Sequence, residues 1–342
     1  SKIGEADPSV VVMDPTISLY CLDHAARRVL FVQVPEGVDV TSPPFFYLAQ
    51  YEHAVRLLTM PYEVFHHVAS GVELSAPLVF IHSTGRAGST LLSKAFAEMA
   101  SVTSLSEPDI YTQATALRLS GGDADEIQAL LKSATKILFN PAFTHESSFH
   151  VVKFRSFVIE VGDLLYRAFP GAANLFLYRD LASSILSAVR AFAIDDTPSE
   201  ADRHIVFWLA SMTPLLAEEL TRRTDLDGVE VPGLIWLSTV HAYARMCRAG
   251  IPILAVRYEE LVADPRHILS TILAYLGLPT TGIDSGLRAF ERDSQAGSPL
   301  SREEAASHAV KTEGRRWDLV RDLLQRYPVT GADIPTDSLA LP

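Results

Sequence analysis

The chain reads as an α/β protein: a central parallel sheet flanked by helices, preceded by a small N-terminal subdomain. Three observations carry that reading. Short apolar runs alternate with amphipathic helical stretches from Pro77 to Leu276. Strands of a parallel sheet are buried on both faces, so they are apolar throughout, and helices form the crossovers between them. The stretch before Pro77 has a different texture, with strand-like segments and a Pro43-Pro44 break. At 342 residues, 48% hydrophobic and 20% charged, the chain suits one elaborated core of ordinary composition.

Taken in order, Ile17–Leu22 and Arg28–Val34 read as strands around Asp23-His24-Ala25-Ala26, a hairpin or meander. Phe46–Ala69 reads as one or two helices broken near Pro61, since proline lacks an N–H and crowds the preceding turn. Strand Pro77–Ile81 then leads to helix Ser89–Met99, and strand Ser101–Leu105 leads to Glu107-Pro108. Helices Ile110–Leu119 and Ala124–Lys136 follow. Strand His150–Phe154 feeds helix Phe157–Phe169, and strand Asn174–Tyr178 feeds helix Leu181–Phe192. Long helices Ser199–Arg222 and Gly233–Arg248 precede strand Ile253–Tyr258 and helix Arg266–Leu276. Residues 1–75 are therefore expected to form a small α+β subdomain or cap, and 76–342 the main domain. In such sheets ligands bind beyond the carboxyl ends of the strands. Arg86, Glu107, Arg155 and Arg179 all fall there.

Composition narrows the partners. With 41 acidic and 29 basic residues the net charge is −12, which argues against nucleic acid or a bulk polyanion. Cys21 and Cys247 stand far apart with no Cys/His cluster, so no disulfide framework or metal centre is expected. A reducing, cytoplasmic compartment fits. No apolar run reaches membrane-spanning length, and the first residues show no secretory-signal pattern.

The most informative stretch is Pro77–Leu92, a buried strand running through Ser83-Thr84-Gly85-Arg86-Ala87-Gly88-Ser89-Thr90 into a helix. Glycines let the backbone wrap closely, and the free N–H groups and dipole of a helix start favour an anion. Arg86 adds a permanent cation, Ser89 and Thr90 hydroxyl donors. A nucleoside-triphosphatase loop would read GxxxxGK[ST], with Mg²⁺ on the hydroxyl. Here Gly88-Ser89-Thr90 carries no lysine, which disfavours a magnesium triphosphate. A second element, Leu175–Tyr178, ends in Arg179 and continues through Asp180 into a helix bearing Ser183 and Ser187 on one face. An arginine at a strand end and a serine in the next helix can clamp one phosphate.

On these residues, stretch 77–279 resembles the sulfotransferases that use 3′-phosphoadenosine-5′-phosphosulfate (PAPS). Arg86-Ala87-Gly88-Ser89-Thr90 is similar to the family's loop for the 5′-phosphosulfate, and Arg179 with Ser187 to its 3′-phosphate pair. A third match runs Tyr258-Glu259-Glu260-Leu261…Asp264-Pro265 and then Leu276-Gly277-Leu278-Pro279. The resemblance implies a P-loop-like nucleotide-binding sheet, PAPS as co-substrate and adenosine 3′,5′-bisphosphate as product. It also implies contacts from Gly85, Arg86, Ala87, Gly88, Ser89, Thr90, Arg179, Ser187 and, beside the adenine, Tyr258.

Sulfuryl transfer depends on positioning, on cations near the bond that breaks, and on a base for the acceptor proton. By resemblance Arg86 and the strand-end Lys153 supply the cations; a solvent-seeking lysine is the plain alternative for Lys153. The histidine that cytosolic members carry after that lysine is absent from Lys153-Phe154-Arg155. Glu107 stands where other branches place a glutamate base, and could otherwise simply cap the next helix. His82 is expected to be a packed residue, and His145, His204 and His241 lack a partner motif. Segments Gly297–Arg302 and Lys311–Trp317 are both open as covers for the 3′-phosphate. The acceptor is expected to be a small molecule or carbohydrate bearing a hydroxyl or amine. Phe45, Phe46, Tyr47, Tyr51 and Phe65 either line its pocket or pack as core. A homodimer is compatible with the sequence. A small-molecule kinase and a non-catalytic binder of adenosine 3′,5′-bisphosphate are the competing readings.

Overall fold

The structure is a computed structural model that describes residues 4–99, 102–141, 147–192, 200–296, 298, 300–301, 303, 314–330, 334, 336–339 and 341. Among the described residues, nine strands form two sheets. β1 (Gly4–Glu5), β2 (Ile17–Asp23), β3 (Arg28–Gln33) and β4 (Arg56–Pro61) make the first, in the order β1-β4-β3-β2. β5 (Leu78–Ser83), β6 (Val102–Ser106), β7 (Phe149–Lys153), β8 (Ala173–Tyr178) and β9 (Leu254–Arg257) make the second. Its order is β6-β7-β5-β8-β9, with every neighbouring pair parallel. The structure is thus α/β with a central parallel sheet.

Burial explains the pattern. Every residue of β5 and of β7 is buried, as expected for strands covered on both faces. Successive side chains point to opposite faces. Phe80 and Val152 enter one core together with Phe31, Leu58 and Met60 of the first sheet and Tyr111 and Leu131 of the covering helices. Val79, Ile81 and Val151 enter another, against Leu92, Phe96 and Leu273. A third core gathers Phe176, Trp236 and Val240 with Val320 and Leu323 of the Gly314–Arg326 helix. The first sheet therefore packs onto the Asp109–Leu119 and Ala124–Leu138 helices instead of standing apart. Among the described residues no helix is long and apolar enough to cross a membrane.

The register brings the strand ends to one edge. Lys153 lies opposite Ile81 on one side and Ser106 on the other, and Ser83 lies opposite Leu177. The chain leaves β5 toward β6 on one side and crosses from β7 to β8 on the other. The loop after β5 therefore sits where the connections diverge, the usual position for a ligand crevice.

Four elements depart from the sequence reading. Phe46–Ala69 holds helix Phe46–His53, then β4, then helix Tyr62–Ser70. Arg56–Pro61 alternates with Leu58 and Met60 inward and pairs along the whole of β3, and Pro61 ends the strand instead of breaking a helix. The stretch Ser199–Arg222 splits into helices Glu200–Ala210 and Pro214–Arg222, because Pro214 begins a new helix where its missing N–H costs nothing. Ser199 itself lies outside the described residues. Phe157–Phe169 is a 3₁₀ turn, Ser156–Val161, followed by helix Gly162–Ala168. A side chain at Gly162 would come within 2.6 Å of Met246 Sδ. Finally, Tyr258 opens a helix, Tyr258–Ala263, instead of ending β9.

His82 and His150 sit fully buried on the central strands, His150 stacked on Phe139 at 4.6 Å. Burial pushes both imidazoles down to about 4. Both stay neutral in the folded protein while the unfolded chain protonates near its usual value of about 6.5. Stability should hold above that value and fall as pH drops toward 4, by up to roughly 1.4 kcal/mol per pH unit for each histidine. Denaturant titrations of wild type and His82→Phe at pH 7 and pH 5 check this. The variant should lose less stability than wild type between the two.

Candidate active site

The loop after β5 is built on left-handed backbone. Gly85, Arg86 and Gly88 have φ of +79°, +52° and +79°. Thr84 N–H donates to Leu177 C=O at 2.9 Å, extending the ladder to β8 before the chain turns. Gly88 then caps the Ser89–Ala97 helix, whose first N–H groups have no intrahelical partner. A side chain at Gly88 would fall 2.7 Å from Tyr258 Cδ2, so the Tyr258 ring closes over the loop.

Two arginines meet beside it. Arg86 Nε donates to Ser187 Oγ at 3.1 Å, and its Nη1 donates to Gln295 Oε1 at 2.9 Å. The Arg179 guanidinium stands 4.7 Å from the Tyr258 ring centroid, and its Nη1 reaches Arg86 C=O at 3.5 Å. Burial and the neighbouring Arg179 charge both pull the Arg86 pKa below its ordinary value. Glu259, 3.7 Å from Arg179 Nε, forms an ion pair with it. That Nε is nonetheless buried without a hydrogen-bond acceptor among the described residues, as is the Thr84 hydroxyl without a partner. The backbone is held from behind. Trp236 Nε1 donates to Arg179 C=O at 2.9 Å, Ser184 Oγ donates to Gly85 C=O at 3.2 Å, and Arg257 grips both oxygens of Asp180.

A second cluster lies at the ends of β6 and β7. Glu107 has φ +59°, and its N–H donates to Lys153 C=O at 2.7 Å. One carboxylate oxygen accepts from Lys153 Nζ, the other from Arg155 Nε at 3.3 Å. Arg155 Nη1 also donates to Asp109 at 2.9 Å and to the Thr112 hydroxyl at 3.0 Å. Aromatic rings from the Pro43–Tyr47 stretch cover both cations. Tyr47 stands 4.0 Å from the Arg155 guanidinium and Phe45 5.8 Å from Lys153 Nζ. Ser106 Oγ donates to Pro44 C=O at 2.7 Å and holds that stretch in place.

The structure thus brings Gly85 through Thr90, Arg179, Ser187 and Tyr258 together, and separately joins Glu107 to Lys153. Arg86, expected beside the bond that breaks, has Ser187 and Gln295 as its partners. The sequence reading missed Ser184, Gln295 and the Asp109–Arg155–Tyr47 arrangement. Arg155 carries a signal in its place at a strand end, and Tyr47 reads as pocket lining or core. Phe46 and Phe65 are core, Tyr47 is half-buried and Tyr51 is exposed. His204 is exposed, whereas His145 and Lys311–Glu313 lie outside the described residues. In the other late segment, Ser298 Oγ donates to Gln295 C=O at 2.8 Å.

Gly88→Ala should be poorly tolerated, since the left-handed conformation alone costs an L residue about 1–2 kcal/mol. Thermal unfolding of Gly88→Ala and of Gly88→Ala/Tyr258→Leu checks the two contributions. The double variant should recover the steric part of the loss and leave the conformational part.

The sulfotransferase family model matches residues 77–282. The sulfotransferase domain of the Synechococcus PCC 7002 olefin synthase is similar at 16% identity and a TM-score of 0.40, over 77% of this chain and 97% of that one. The sulfotransferase domain from the curacin biosynthetic pathway is similar at 18% identity and a TM-score of 0.43, over 79% and 100%. A sulfotransferase from Alicyclobacillus acidocaldarius is similar at 15% identity and a TM-score of 0.42, over 73% and 90%. No curated protein sequence is a significant match. The family match runs from β5 through the turn after helix Pro265–Tyr275, more than half of the chain, and the protein belongs to the sulfotransferase family.

Proposed function

We propose that the protein moves a sulfuryl group from PAPS to a hydroxyl or amine of an uncharged small-molecule or carbohydrate acceptor. The observation that carries this reading is the convergence of Arg86, Arg179 and Ser187 beside a loop whose helix-start N–H groups are free. That arrangement offers two anion sites. The Gly85–Thr90 loop suits the 5′-phosphosulfate, and Arg179 with Ser187 suits the 3′-phosphate. The Arg179 Nε, which has an ion pair with Glu259 but no hydrogen-bond acceptor, and the buried Thr84 hydroxyl fit an anion, since buried donors are costly without a hydrogen bond. Tyr258, stacked on Arg179 and the loop, backs the nucleotide.

Lys153 then serves the transferring sulfuryl, and Glu107 accepts the acceptor proton. One sulfur–oxygen bond to the phosphate breaks, and one bond from sulfur to the acceptor oxygen or nitrogen forms. The proton passes to Glu107, and adenosine 3′,5′-bisphosphate leaves. Release of Lys153 from Glu107 would free one carboxylate oxygen for that proton. An acidic chain, −12 overall, favours an acceptor without strong negative charge. The absence of a lysine after Gly88 weighs against a kinase that would take Mg-ATP.

Glu107→Gln should lower turnover of PAPS by about 10²–10⁴-fold, the usual worth of a general base, and leave adenosine 3′,5′-bisphosphate affinity within a few-fold of wild type. Arg86→Ala should weaken that affinity as well as turnover. A labelled-sulfate assay over phenols, alcohols, amines and sugars, paired with calorimetric titration, measures both. Near-normal turnover in Glu107→Gln would remove it as the base. Stabilisation by Mg-ATP and not by either 3′-phosphorylated nucleotide would overturn the reading itself.

A further inference from the structure

We propose that Arg155, braced by the Tyr47 ring, is a positioning residue that keeps the Glu107 carboxylate aimed and ionised while Lys153 engages the sulfuryl group. This rests on the sulfuryl-transfer reading above and extends it to a stretch of chain that the family match does not include. Tyr47 precedes that match, and Arg155 belongs to none of the motifs that carried the resemblance.

Glu107 stands to lose a counter-ion in the reaction. Its two carboxylate oxygens are divided between two cations, Lys153 on one and Arg155 on the other. Glu107 and Arg155 are each 13% exposed and Lys153 only 4%, so the cluster is close to dry. A carboxylate in such a place needs a counter-ion to stay charged. If Lys153 is drawn to the transferring group, Arg155 is the cation that remains on Glu107.

Arg155 is built to stay. Its Nη1 is fixed by Asp109 and Thr112, both on the helix that follows Glu107. Its guanidinium carbon lies 4.0 Å from the Tyr47 ring centroid, within the range of a cation–π contact. Burial works against the Arg155 charge, but the carboxylates of Glu107 and Asp109 outweigh it and hold its pKa above the ordinary value. A guanidinium can make all these contacts at once because its donors form a rigid planar fork, which a lysine lacks. The charged and titratable groups around this carboxylate are few. Lys153 and Arg155 come from the end of β7, and Asp109 from the following helix. Tyr47 and Tyr20 border Arg155 from the N-terminal segment and β2.

The test compares Arg155→Ala, Arg155→Lys, Tyr47→Ala and Tyr47→Phe with wild type in PAPS turnover. Each is read as kcat against pH, alongside adenosine 3′,5′-bisphosphate affinity and thermal unfolding. In Arg155→Ala, kcat near neutral pH should fall by about 10- to 100-fold. The acid limb of the profile should move up, because a carboxylate loses a neighbouring cation. Nucleotide affinity should change less than about threefold. Arg155→Lys should shift the limb less but still lower kcat. Tyr47→Ala should show the same pattern weakly, and Tyr47→Phe should recover most of that loss. A wild-type acid limb in a folded Arg155→Ala or Arg155→Lys would overturn the proposal, as would a loss of kcat that tracks thermal stability alone. Should Arg155→Ala not fold, Arg155→Lys and the Tyr47 pair decide the matter by the same criteria. Absence of PAPS turnover in wild type would instead overturn the sulfuryl-transfer reading, and this inference with it.

Discussion

All five strands of the larger sheet run the same way, and much of the molecule follows from that constraint. Parallel pairing puts every strand's carboxyl end on one edge, where the crossover helices begin. It brings the loop after β5, the Glu107 turn after β6, Lys153 at the end of β7 and Arg179 after β8 to a single rim. The Glu107 N–H then continues the ladder one step past β6 by bonding Lys153 C=O at 2.7 Å. The same backbone contact that ends the strand therefore delivers a carboxylate to its cation. Glu107 adopts φ +59° to do this, as Arg86 does at +52° in the neighbouring loop. Strained backbone of this kind persists only where the surroundings over-determine it. Here the sheet ladder and the buried ion pairs supply that determination.

Charge is arranged against the protein's overall sign. The chain carries −12, yet Arg86, Lys153, Arg155 and Arg179 all stand on this rim, as does Arg257 in its pair with Asp180. The first four fall into two groups with different partners. Lys153 and Arg155 share Glu107, whereas Arg86 and Arg179 have hydroxyl, amide, carbonyl and ring neighbours, with the Glu259 carboxylate on Arg179 and the Asp293 carboxylate near Arg86. The first group makes direct ion pairs with Glu107 and Asp109, whereas Arg86 makes its hydrogen bonds to the neutral Ser187 and Gln295 side chains. The proposed phosphate and proton-transfer sites follow that division.

How much of this the sequence made legible depended on the range of each interaction. β5, β7 and β8 are apolar on both faces and stand out as runs. β4 does not, because Arg56–Pro61 uses leucine and methionine, residues equally at home in helices, and only its pairing with β3 decides the matter. The loop residues 85–90 and the Arg179–Ser187 spacing were legible because the backbone of one loop and one helix sets them. Gln295 was not, since it meets Arg86 across 209 positions with no local pattern to announce it. Tyr47 reads in the sequence as an aromatic that either lines an acceptor pocket or packs as core. Its contact with Arg155 is visible only once the Pro43–Tyr47 stretch lies across the end of β7.

Central to the proposed chemistry is a rim that holds two phosphates of one nucleotide at separate sites. Titration calorimetry of adenosine 3′,5′-bisphosphate against adenosine 5′-monophosphate tests this most directly, since the two differ only in the 3′-phosphate. The bisphosphate should bind tighter by about 100-fold or more, as charge-assisted hydrogen bonds at about 1.5–3 kcal/mol each imply for Arg179 and Ser187 acting together. That advantage should collapse in Arg179→Ala. Equal affinity for the two nucleotides, or an advantage that survives Arg179→Ala, would contradict it.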